Sequence, residues 1–250
     1  MTFKVIPCIP ISMLMPLAML TIAHMGASQE APENTLESIA KAIEYRADVI
    51  EFDVRVSKDG IPVVIHDRAL GWDKPIPESY PISKLTLSEI KAYDIGSWFS
   101  PAFAGARVPT LEEVLALGGK YMVEIKWAGF PFNPYVDKIL PYLEGEECWI
   151  GCMVPDVVAY LKEKGFRTVG IVQSAPNLEA FIALSPDVLA LRQQLVSEEV
   201  IQRLHALGIQ VWAWTIDDVS QAKKFKLMGL DGVITNNVTG MISLESSPNL

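Results

Sequence analysis

Short apolar runs alternate along the chain with stretches whose apolar residues recur every three or four positions, the signatures of buried strands and of amphipathic helices. The runs predict strands at residues 19–23, 49–54, 63–66, 121–125, 149–153, 168–172, 188–191, 210–214 and 232–235. The periodic stretches predict helices at 35–45, 111–117, 135–143, 157–164, 178–184, 197–207 and 219–228. Asn34 or Thr35 is placed to cap the first of these, and Gly165, Gly208 and Gly229 stand where helices commonly end in a left-handed residue. A repeating strand-then-helix order implies parallel strands joined by helical crossovers. About eight such units in 250 residues point to an α/β protein, a closed (β/α)8 barrel ahead of an open doubly wound sheet. No glycine-rich phosphate fingerprint follows the first strand, which weakens the dinucleotide-binding alternative.

The rhythm breaks once, between His66 and Leu111. That stretch is rich in Pro, Gly, Ser and aromatics (Trp72, Tyr80, Tyr93, Trp98, Phe99, Phe103) and has one evident helix, 87–93. Connections this long usually carry structure or function of their own, so about residues 67–108 are expected to form a small insertion over one end of the barrel, after the second βα region. Residues 19–250 then make a single barrel domain, preceded by an apolar extension at 1–18. Residues 5–23 carry no charge and approach bilayer-spanning length, but Pro7, Pro10 and Pro16 interrupt them. The extension reads as a signal or anchor, or as a mis-set start with Met13, Met15 or Met19 as internal alternatives. A cytoplasmic protein is expected, with export or membrane anchoring through residues 1–23 as the alternative and no other route to a membrane.

Composition narrows the partners. With 50% hydrophobic and 20% charged residues the chain is a packed globular protein. Its charge of −9, from 21 Lys+Arg against 30 Asp+Glu, argues against nucleic acid as a partner. An anionic substrate would also be repelled unless a bound cation or a local basic cluster reverses the sign. Cys8, Cys148 and Cys152 make no disulfide framework, and the last two lie in an apolar run as core thiols.

Chemistry gathers at predicted strand ends. Glu51 and Asp53 alternate with Ile50, Phe52 and Val54, so both carboxylates share one strand face, the barrel interior. Glu124 and Lys126 repeat the spacing. Inward carboxylates repel one another unless a cation or a shared proton intervenes, and an all-oxygen set suits Mg2+ or Ca2+. His24 and His66 fall at strand ends, where barrel enzymes place catalytic groups, and can serve as an acid/base pair. His205, on an apolar helix, reads as structural.

These residues fall in an ordered series that resembles the glycerophosphodiester phosphodiesterase family. The series runs His24-Met25-Gly26, Pro32-Glu33-Asn34-Thr35, Glu51-Phe52-Asp53, Lys58-Asp59-Gly60 and His66-Asp67. It continues through Gly96-Ser97-Trp98-Phe99, Pro109-Thr110-Leu111-Glu112-Glu113, Glu124-Ile125-Lys126, Trp212-Ala213-Trp214-Thr215 and Gly232-Val233-Ile234-Thr235-Asn236. The resemblance implies a TIM barrel that hydrolyses a small-molecule glycerophosphodiester to sn-glycerol 3-phosphate and an alcohol. It implies a divalent metal on Glu51, Asp53 and Glu124, His24 and His66 as acid and base, and Lys126 and Trp214 as substrate contacts. One departure stands out: the family's arginine after the first histidine is Met25, and a thioether cannot replace a bidentate cation. Arg68 is expected to supply the missing guanidinium, and a second family arginine beyond His66-Asp67 has only Lys74 in its place. The alternative to a working phosphodiesterase is a family member impaired by Met25 that binds a phosphorylated ligand or a partner.

Overall fold

The computed structural model describes residues 19–71, 80–126, 129 and 131–245. The apolar extension, Cys8 and Lys74 lie outside the described residues. The chain passes from β1 (Leu20–Ala23) through α1 (Leu36–Glu44) to β2 (Val49–Val56) and then leaves the barrel. This excursion contains β3 (Pro62–Val64), the ribbon of β4 (Ala69–Leu70) and β5 (Tyr80–Pro81), and α2 (Leu87–Lys91), before α3 (Leu111–Leu115) returns the chain to β6 (Tyr121–Ile125). Two short helices, α4 (Asn133–Val136) and α5 (Leu140–Leu143), lead to β7 (Cys148–Cys152). Regular alternation follows: α6 (Pro155–Glu163), β8 (Thr168–Val172), α7 (Ala175–Leu184), β9 (Val188–Arg192), α8 (Glu198–Ala206), β10 (Gln210–Trp214), α9 (Val219–Leu227), β11 (Gly232–Thr235) and α10 (Val238–Glu245).

Eight parallel strands, in the order β1, β11, β10, β9, β8, β7, β6, β2, close on themselves because β2 also pairs with β1 through Ile22↔Val49. The fold is a (β/α)8 TIM barrel. Strand alternation divides the apolar residues into two layers. Ile22, Val49, Met122, Trp149, Val169 and Trp212 fill the barrel, while Ile50, Phe52, Val54, Val123 and Ile150 face outward onto Ile39, Ala42, Val157 and Leu161. The excursion has an apolar cluster of its own, with Val63, Leu70, Ile82, Ile90, Ile95 and Val108 buried together.

Three elements differ from the pattern-based expectation. The run at 63–66 gives only β3, antiparallel to β2 with Val54 opposite Val64, and is no barrel strand. The cause is the turn at Ser57–Gly60, where Ser57 Oγ donates to Asp59 and Gly60 adopts φ +86°, sending the chain back along β2. His66 therefore stands on a hairpin arm and not at a barrel strand end. The helix expected at 135–143 splits into α4 and α5, since Pro141 fits only a first helical turn. Helix α10 escapes the pattern because Gly240 and Thr239 are poor helix formers, and burial of Val238, Met241 and Leu244 holds it in place. Cys148 and Cys152 are free and buried, and burial pushes the Cys152 thiol up to about 12. Among the described residues no helix is long and apolar enough to cross a membrane.

Asp94 organises the excursion: its carboxylate accepts from the Gly96, Ser97 and Gly105 amides and from Ser97 Oγ. These donors hold its pKa far below the ordinary carboxylate range. Its stabilising contribution is therefore present above the unfolded carboxylate value of about 4 and fades as pH falls below it. In Asp94→Ala, hydrogen exchange at the Gly96, Ser97 and Gly105 amides should accelerate at pH 7 while barrel-strand amides keep their protection. Unchanged exchange at those three amides would contradict this role.

Candidate active site

The C-terminal ends of the strands form the site. On β2 the side chains of Glu51, Asp53 and Arg55 alternate inward, and the register sets Asp53 beside Glu124 of β6. Glu51, Asp53 and Glu124 are all buried, and one oxygen from each lies within 4.8 Å of the others. Lys126 Nζ lies 3.0 Å from Asp53 Oδ1 and 2.6 Å from Glu124 Oε1. Three carboxylates thus face one ammonium. Burial pushes Glu51 well above its ordinary pKa, reinforced by Asp53 and Glu124. Burial also raises Glu124, against the pull of Lys126. At Asp53 burial acts upward too, but Lys126, His66 and Asn34 outweigh it and keep this carboxyl below its usual value. Lys126 is disfavoured by burial yet held above its usual value by Asp53 and Glu124.

The loop after β1 shapes the opposite wall. Met25 and Asn34 both take left-handed backbone conformations, φ +55° and +56°. The Met25 amide donates to Glu51 Oε2 at 2.9 Å. Gly26 makes this possible: a Cβ there would sit 2.6 Å from the Ser38 carbonyl carbon. Thr35, not Asn34, caps α1, in a capping box with Ser38. Asn34 instead faces the carboxylates, donating from Nδ2 to Asp53 Oδ2 at 2.8 Å and accepting the Asp53 amide at 3.1 Å. Asp53 Oδ1 is left buried, next to Lys126 but without a hydrogen bond. A compact all-oxygen set with an unsatisfied oxygen fits a hard divalent cation.

The two histidines flank this cluster. His24 Nδ1 lies 2.7 Å from Asn236 Oδ1, and Asn236 donates from Nδ2 to Asp217 at 2.8 Å. Since the amide oxygen faces the ring and can only accept, Nδ1 carries a proton. His66 Nδ1 lies 3.2 Å from Asp67 Oδ1, and that carboxylate raises the His66 pKa against the effect of burial. Arg55 fixes both lysine and histidine arms, with Nε and Nη2 on the His66 carbonyl and Nη1 on that of Lys126.

A cavity of about 160 Å³ opens at this mouth, walled by His24, Glu51, His66, Glu124 and Lys126 on one side and by Met25, Met122, Met153 and Trp214 on the other. The Trp214 indole is fixed by its N–H on the Ala190 carbonyl. The structure thus brings together His24, His66, Glu51, Asp53, Glu124, Lys126 and Trp214. Arg68 is not among these walls and lines an adjoining cavity. Asn34, Arg55, Asp217 and Asn236 were not singled out as site residues in the sequence. Arg55 was within reach of the same alternation that revealed Glu51 and Asp53.

A (β/α)8 barrel with this acidic cluster and histidine pair at its C-terminal mouth matches the phosphoric diester hydrolases. The model of the glycerophosphoryl diester phosphodiesterase family matches residues 24–140 and 159–239, and the chain belongs to that family. YhdW of Bacillus subtilis (strain 168) is 31% identical over 87% of this chain and 94% of its own length. The glycerophosphodiester phosphodiesterase of Caldanaerobacter subterraneus subsp. tengcongensis is 30% identical over 90% and 97%. Among solved structures, an Oleispira antarctica phosphodiesterase in complex with the product sn-glycerol-3-phosphate superimposes with TM-score 0.84 at 26% identity, covering 91% of this chain and 97% of that one.

Glu51 has a pKa raised above its unfolded value, so metal-free protein loses stability as pH rises from about 4.5 through the folded value. Glu51→Gln removes that charge and keeps an oxygen for the Met25 amide. In chelator at pH 8 this variant should melt a few degrees higher than the parent, the gap closing toward pH 4.5. A lower melting temperature across the whole range would contradict the repulsion.

Proposed function

We propose that this chain hydrolyses a glycerophosphodiester to sn-glycerol 3-phosphate and an alcohol, using Mg2+ or Ca2+ held by Glu51, Asp53 and Glu124. The observation that carries this reading is the packing of three buried carboxylates and Lys126 between two histidines that face one cavity. The product-bound Oleispira antarctica structure supports it. When bound, the cation would polarise the phosphoryl oxygens and offset charge developing on them.

The protein's own groups divide the remaining work. His24, with Nδ1–H held by Asn236, presents a lone pair on Nε2 and acts as base, taking a proton from water as its oxygen bonds to phosphorus. His66, kept protonated by Asp67, acts as acid and gives a proton to the alcohol oxygen as its bond to phosphorus breaks. Lys126 contacts a phosphate oxygen, and the Trp214 face packs against the carbon skeleton of the substrate.

Glycerol 3-phosphate release from glycerophosphocholine should require divalent metal and stop in chelator. His24→Ala and His66→Ala should each cost about 10²–10⁴ in kcat. Because protonated His66 is the active form, activity falls as pH rises through its pKa. Asp67→Asn should move that alkaline limb of the kcat/KM profile to lower pH, and an unmoved limb would reassign the acid.

One observation favours a second reading: among the cavity's walls stands Met25, where the family resemblance calls for arginine. On that reading the site binds a phosphorylated ligand without efficient turnover. Met25→Arg separates the two. An active parent gains about tenfold or less in kcat/KM. A parent without metal-dependent turnover on any diester, awakened by Met25→Arg, establishes the second reading.

A further inference from the structure

Beside the mouth lies a second cavity of about 150 Å³, sharing Lys126 as a common wall and otherwise lined by Arg55, Arg68, Ser83 and Tyr135 over Val56 and Ile82. Three of its walls are cationic side chains in a chain of net charge −9. Arg55 is half-buried, yet among the described residues its bonds run only to the neutral carbonyls of His66 and Lys126. Among the described residues neither Arg55 nor Arg68 is ion-paired with a carboxylate. Asp53, Asp67 and Glu124 act on the Arg55 guanidinium without bonding to it, and an oxyanion in the cavity offers the direct bidentate partner that they do not. Arg55 has N–H groups left after its three carbonyl contacts, and Arg68 is exposed, with no carboxylate partner for its guanidinium among the described residues. Ser83 adds a hydroxyl. At roughly 30 Å³ per water molecule, the volume takes a phosphate or carboxylate with some solvent.

We propose that this cavity binds a compact oxyanion, carried by the alcohol headgroup of the substrate. The inference rests on the function proposed above. Arg55 donates to the His66 carbonyl and Arg68 lies two residues beyond His66, so the cavity adjoins the segment that carries the proposed acid. A diester seated at the histidines directs its headgroup toward Arg55 and Arg68, and a negatively charged headgroup is selected there.

Glycerophosphoserine and glycerophosphoethanolamine differ only by the headgroup carboxylate and make the test. The metal-loaded parent should favour the serine diester in kcat/KM by about tenfold. Arg68→Ala should erase that ratio, Arg68→Lys should keep most of it, and Arg68→Glu should reverse it. A ratio that Arg68→Ala and Arg68→Glu leave within twofold of the parent, including a case in which both substrates slow together, overturns headgroup selection. Calorimetric titration of inorganic phosphate into the metal-loaded parent and Arg68→Ala is the second arm. Phosphate binding lost in Arg68→Ala, with no headgroup ratio in the parent, assigns the cavity to free phosphate. Absence of both effects overturns the oxyanion site. If no diester is cleaved, the proposed function fails, and the phosphate titration still decides the cavity.

Discussion

Three carboxylates buried side by side at the end of two neighbouring strands set the terms for this structure. Like charges this close, removed from water, raise one another's pKa values and destabilise the fold that holds them. Lys126 offsets part of that charge, lying within ion-pair distance of Asp53 and Glu124 but leaving Glu51 to the Met25 amide. What remains is a compact negative site whose oxygens could hold a divalent cation, in a chain whose net charge disfavours anions. A cation held there would reverse the local sign of an acidic protein toward an anionic diester.

The surrounding backbone is organised to hold this arrangement. Gly26 permits the tight turn that aims the Met25 amide at Glu51, and Asn34 grips Asp53 from a left-handed conformation. Arg55 ties the His66 arm to the segment after β6, so an element outside the barrel delivers its histidine to a site inside it. The two histidines then differ by their partners: an amide oxygen for His24 and a carboxylate for His66. The carboxylate partner favours the imidazolium form of His66.

Most of the barrel was legible in the chain, because a buried parallel strand is an apolar run and its crossover helix has a 3.6-residue period. The alternation that exposed Glu51 and Asp53 also identified the carboxylate cluster, and Glu124 joined it from the matching position on β6. Less legible was anything set by pairing between distant segments. The run at 63–66 looks like a barrel strand until the turn at Asp59-Gly60 folds it back on β2. Asn34 looks like a helix cap, and only the fold shows its side chain on Asp53, while Asp217 acts through Asn236 on His24 across the whole length of the chain. Arg68 lies two residues from His66 in sequence but lines a different cavity from the mouth.

Because burial and mutual repulsion raise Glu51 and Glu124, protons compete with a divalent cation for this site. Calorimetric titration of Mg2+ or Ca2+ at pH 6, repeated in buffers of different ionisation enthalpy, counts the protons released on binding. Saturable binding to one site with release of about one proton is expected, with loss of both in Glu51→Gln. Absence of binding, or binding without proton release that persists in Glu51→Gln, would contradict it.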